Sequence, residues 1–106
     1  TLSPKNPAYH GRYEGSEPER DRAYHQGTIW TWLIAPYVAA VERVRGKEEA
    51  TRIAHEVLTA LEREMHRCGL GTLGEVYDGD PPHTPGGSIA QAWSVAAAME
   101  LMGKYM

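Results

Sequence analysis

From Ser88 to Met102 the chain leaves almost no polar face. Ile89, Ala90, Ala92, Trp93, Val95, Ala96, Ala97, Ala98, Met99, Leu101 and Met102 are all apolar. A helix that is apolar nearly all round has to be buried on most of its sides. At 106 residues the chain is one domain's worth at most, and its periodicity predicts only two further helices. Two helices cannot cover a third on every side, so the sequence calls for more protein around residues 88–103. That cover is either additional helices of a larger domain or another copy of this chain.

The two companions are predicted from spacing. Ile29, Trp32, Leu33, Pro36, Tyr37, Ala40, Val41 and Val44 recur at i, i+3, i+4, i+7, which marks one face of a helix over 27–45. Pro36 lacks an amide hydrogen, so a kink is expected there, or a helix that becomes regular only after Ala35. A second helix, 47–68, carries Ala50, Ile53, Ala54, Val57, Leu58, Leu61 and Met65 on one side and Glu48, Arg52, Glu56, Glu62, Arg63 and His66 on the other. Gly69 suits a left-handed turn at its end. His55 and His66 fall on or near the charged face and read as solvated residues. Trp32 and Trp93, on apolar faces, read as core.

Residues 1–26 show no period of 2 or 3.6 and contain Pro4, Pro7 and Pro18, so an extended loop is expected. Residues 69–87 form a second long loop, with Glu75, Asp78, Asp80 and His83 among glycines and prolines. Long loops inside compact domains are uncommon and usually bind or catalyse. Metal binding fits poorly, because the carboxylates lack calcium-loop spacing and there is no paired His or Cys motif for zinc. Gly86-Gly87-Ser88 lacks the lysine and strand context of a phosphate loop and reads as a helix cap. No cofactor motif is present. A net charge of −3 with eleven scattered Lys and Arg residues argues against nucleic acid, and no apolar run is long enough for a membrane span. The one cysteine, Cys68, cannot form an internal disulfide, and a cytoplasmic location is the default expectation.

Two blocks of sequence carry a resemblance. Gly74-Glu75-Val76-Tyr77-Asp78-Gly79-Asp80-Pro81-Pro82-His83, followed by Pro85-Gly86-Gly87 and Ala90-Gln91-Ala92-Trp93-Ser94-Val95, resembles the last active-site loop and final helix of glycogen debranching enzymes. Arg22-Ala23-Tyr24-His25-Gln26-Gly27-Thr28-Ile29-Trp30, continuing through Trp32 to Tyr37, resembles that family's AYHxGxxWPW segment. Thr31 stands where the family usually has proline. Leu2-Ser3-Pro4 through Tyr9 and Gly15 is similar too, so the resemblance spans essentially the whole chain.

The resemblance is to the carboxyl-terminal amylo-α-1,6-glucosidase domain, and it implies an all-α fold: the last helices of an (α/α)6 barrel, with 69–87 as an active-site loop. It also implies hydrolysis of α-1,6-linked glucose stubs in glycogen or limit dextrin by an inverting mechanism. Such a mechanism sets an acid and a base about 6.5–9.5 Å apart, with the attacking water between base and sugar. Glu75 matches the family's general base. The family's acid is an aspartate on an earlier loop that this segment lacks, and Asp21, Asp78 and Asp80 are not candidates for that role. The remaining expectations concern the sugar: Tyr24, Trp30 and Tyr77 as flat faces, and Asp21, His25, Asp80, His83 and Gln91 as hydrogen-bonding groups. Two other readings stay open. One is a glucoamylase-like or trehalase-like hydrolase of the same barrel. The other is a non-catalytic fragment or carbohydrate-binding remnant that associates with a partner or with itself.

Overall fold

The computed structural model describes residues 1–106, and it is mostly helical with a small sheet of three strands. In chain order the elements are α1 (Glu17–Gln26), β1 (Ile29–Trp30), a 3-10 turn (Thr31–Leu33), α2 (Ile34–Arg45), α3 (Lys47–Arg67), β2 (Val76–Tyr77), β3 (Pro85–Gly86) and α4 (Ala92–Tyr105).

The helix α1 lies where an extended loop was expected. Its start is chemical rather than periodic: the Ser16 amide donates to Oε2 of Glu19 at 2.6 Å, closing a capping box, and a proline occupies the first turn. Only Ala23 of this helix is buried, so the helix has no apolar stripe for a period search to find.

The α2–α3 hairpin follows the apolar spacing. Pro36 occupies the first turn of α2, where its missing amide hydrogen has no intrahelical partner to lose. The expected distortion appears instead as the 3-10 turn just before it. Gly46, at φ 91°, joins the two helices. α4 packs across both, and the core is Ala35, Val38 and Val41 from α2, Ala50 and Ala54 from α3, and Ala97, Leu101 and Tyr105 from α4. At the far end Tyr105 and Lys104 both reach Oε2 of Glu42, at 2.7 and 2.6 Å, tying α4 to α2.

The long loop after α3 is a ribbon. Backbone bonds link the Asp78 amide to the Thr84 carbonyl, the Glu75 amide to that of Ser88 and the Gln91 amide to that of Leu73. Between them β2 pairs antiparallel with β3, Val76 facing Gly86 and Tyr77 facing Pro85. β1 adds to the other edge of β2, with Trp30 opposite Val76. Because of this ribbon α4 begins at Ala92, later than the expected residue 88, and Gln91 is its extended N-cap.

The amino-terminal segment is folded against the ribbon rather than free. Asp78 Oδ1 accepts the Tyr13 amide at 2.8 Å, Asp80 Oδ1 accepts the Tyr9 hydroxyl at 3.0 Å, and the Gly11 carbonyl accepts the Asp80 amide at 3.2 Å. A Cβ at Gly27 would sit 1.6 Å from the His10 carbonyl oxygen. Glycine at the end of α1 is what lets this strap pass so closely.

Candidate active site

Sheet register sets the site. β1 lies beside β2, so Trp30 faces Val76, one residue beyond Glu75. The preceding α1 then brings Tyr24 over the ribbon, where its hydroxyl donates to Oε1 of Glu75. The other carboxylate oxygen, Oε2, accepts the Ser88 backbone amide at 2.8 Å. Gly87 makes that approach feasible: its φ is +68°, and a Cβ there would lie 2.4 Å from Oε2. The Glu75 carboxylate is thus fixed at both oxygens by groups from two different parts of the chain.

Tyr24 is itself held. Its ring stands edge-on to Trp30 at 4.5 Å and to His25 at 5.3 Å, and is tilted against Tyr13 at 5.8 Å. Its carbonyl accepts both the Thr28 hydroxyl at 2.9 Å and the Trp30 indole at 3.0 Å. The hydrogen bond to Glu75, followed by burial and the carboxylate's charge, pushes the Tyr24 phenol up to about 12. The group therefore stays protonated and donating throughout the neutral range.

Glu75 and Tyr24 line an open cleft of about 340 Å³ together with Tyr13, Glu17, Arg20 and Asp21. Of the residues expected to bind sugar, Asp21 and Tyr24 thus share the cleft with Glu75, and Trp30 backs it. His25 is exposed beside Tyr24. Tyr13, Glu17 and Arg20 carried no sequence signal. They arrive because the strap and α1 are folded over the ribbon.

The other expected residues lie elsewhere. Tyr77 is only 7% exposed and is buried in β2, away from the cleft that holds Glu75. Asp80 holds the Tyr9 hydroxyl and lies 3.9 Å from Arg12. It lines a separate polar cleft with Tyr9, Arg12 and Arg22, where its contacts tie the strap to the ribbon. His83 sits at the exposed ribbon tip, with Nδ1 2.9 Å from the Asp78 carbonyl oxygen. Gln91 is half-buried at the start of α4 and bonds through its backbone to Leu73.

The aromatic residues are also arranged differently from expectation. Trp32 and Trp93 are 37% and 45% exposed rather than core. They stack on each other at 5.5 Å and 24°, and Trp93 meets Trp30 edge-on at 5.8 Å. The structure groups no set of three His, Cys, Asp or Glu side chains that would hold a metal ion.

Residues 1–100 match the family model described as Amylo-alpha-1,6-glucosidase. The chain belongs to this family. The amylo-alpha-1,6-glucosidase match covers the strap, α1, the hairpin, the ribbon and most of α4, and therefore every residue that builds the Glu75 cleft. Family membership makes this a glycosidase-related domain of the glycogen-debranching type. No curated protein and no solved structure matches the chain.

Proposed function

We propose that this chain supplies the general-base side of an inverting glycosidase site acting on α-1,6-linked glucose stubs of glycogen or limit dextrin. The observation that carries the reading is the Glu75 carboxylate, held by Tyr24 and the Ser88 amide at the edge of a polar cleft. A carboxylate has about four lone-pair sites. Two are occupied by these donors, leaving capacity to accept a proton from a water lying over the cleft. As that water attacks the anomeric carbon on the face opposite the leaving oxygen, its proton passes to Glu75 and the sugar leaves with inverted, β configuration.

The leaving oxygen needs its own proton, and Asp78 and Asp80 are committed to the amino-terminal strap. The family resemblance implies an aspartate acid on an earlier loop outside these residues, on the remainder of an (α/α)6 barrel. That remainder, rather than a second copy, is the cover for the apolar face of α4. Asp21 and Arg20, in the cleft with Glu75, are assigned to the hydroxyls of the bound glucosyl unit. A cytoplasmic location belongs to the same reading.

The test is release of β-glucose from a limit dextrin bearing single α-1,6 glucose stubs, with the chain alone and with the rest of the barrel present. Activity is expected only in the second case. Glu75→Gln is expected to lower turnover by at least about two orders of magnitude while glucan binding persists, because the amide keeps the shape but cannot take the proton. Turnover near the native rate in that variant removes Glu75 from the reaction. A folded assembly that binds glucan without hydrolysing it favours a carbohydrate-binding remnant.

A further inference from the structure

Resting on the reading of Glu75 as general base, we propose that Tyr24 is the positioning residue for that base rather than a sugar-binding face. Glu75 sits in a ribbon with short, irregular pairing, which by itself leaves a long acidic side chain free to rotate. Three features remove that freedom. The Tyr24 hydroxyl donates to Oε1, the Ser88 amide donates to Oε2, and the Cβ-free Gly87 lets the carboxylate lie against the backbone. Tyr24 in turn is locked against Trp30 and anchored through its carbonyl by Thr28 and Trp30. The hydroxyl that contacts Glu75 is therefore delivered from a rigid support 51 residues away in sequence.

This arrangement suits positioning better than stacking. The Tyr24 ring is flanked by Trp30, His25 and Tyr13, which leaves little of its face for a pyranose. Its oxygen is committed to the carboxylate. A donor that fixes one oxygen restricts which lone pairs remain to meet the water, and misplacing a reacting group by about 1 Å can cost roughly a hundredfold in rate.

The contact is tested on the chain itself. The Tyr24 phenol is expected to titrate near 12 in the native chain and to move down towards the ordinary tyrosine value in Glu75→Gln, followed by the NMR signal of the Tyr24 ring. The role is tested in the active assembly with Tyr24→Phe, which keeps the ring packing and loses only the hydroxyl. The expected result is a fall in kcat of about ten- to a hundredfold with KM unchanged. A Tyr24 titration indifferent to Glu75→Gln overturns the contact. A raised KM with native kcat makes Tyr24 a sugar ligand, and native kcat with native KM makes it merely structural; either overturns the proposal. If the native assembly releases no glucose from α-1,6 stubs while the titration behaves as expected, the hydrolase reading fails, and the positioning role with it, although the contact stands.

Discussion

Single residues decide how Glu75 is presented. Gly87→Ala adds a Cβ 2.4 Å from Oε2 at a φ of +68°. Left-handed backbone costs a non-glycine residue about 1–2 kcal/mol, and the new methyl group also displaces the carboxylate. The expected outcome is a modest loss of stability by denaturant titration with a much larger loss of glucan hydrolysis. A loss of hydrolysis no greater than the fraction unfolded would show that Glu75 tolerates displacement. The Tyr24 pair has a defined pH signature. Its phenol is raised in the folded chain from 10.0 to about 12, so its contribution to stability is complete below pH 10 and is lost as pH rises towards 12. Tyr24→Phe is expected to flatten that alkaline decline in the thermal midpoint, and an unchanged decline would mean that the pair is not coupled to folding.

At the scale of elements, the two apolar helix faces were legible because burial imposes a period of 3.6, and α3 runs Lys47–Arg67 where its stripe placed it. α1 was missed for the opposite reason. It buries one alanine, and its signal was Ser16-Glu17-Pro18-Glu19, a capping box with proline in the first turn. The ribbon was missed because its two-residue strands are too short to alternate, and their pairing partner β1 is about 46 residues upstream of β2 by position. Two tests belong here. Leu101, 1% exposed between α2 and α3, is expected to cost about 2–5 kcal/mol when cut to alanine, measured by denaturant unfolding. Less than about 1 kcal/mol would mean that α4 is not docked as described. At the other contact, Lys104 and then Tyr105 lower the Glu42 carboxyl below its usual 4.5. The stabilisation is present above that value and disappears as pH falls through the lowered one. Glu42→Gln should therefore remove part of the acid-induced fall in thermal midpoint, and a variant with the native acid profile would dismiss the tie.

The whole molecule is thin and open. Its extents are 42 × 32 × 20 Å and its radius of gyration is 14.3 Å, against about 13 Å for a compact domain of this length. Only 21 of 106 residues are buried, too few to enclose α4. Trp93, Met99, Met102 and Met106 remain exposed along it, beside an apolar cleft bordered by Leu58, Leu61 and Met65. An uncovered surface of this kind drives association. The chain by itself is expected to sediment as more than its 11.8 kDa at micromolar concentration, and Met99→Lys with Met102→Lys should return it towards a monomer. A native chain that stays monomeric and binds no hydrophobic dye would mean that the exposed face of α4 needs no cover.

The sequence by itself determined the helical class, the α2–α3 hairpin, the apolar character of α4 and the family, because these rest on local spacing and on contiguous motifs such as the segments around Glu75 and Tyr24. It also contained Glu75, Tyr24 and Asp21 as candidates without relating them. Only the tertiary structure decided that Tyr24 and Ser88 clamp Glu75, that Tyr13 and Arg20 share its cleft, that Asp78 and Asp80 hold the strap, and that Tyr77 turns inward while Trp32 and Trp93 face out. Those outcomes depend on sheet register and on a strap crossing a glycine, and both join residues far apart in the chain. Neither leaves a periodic trace in the order of the residues.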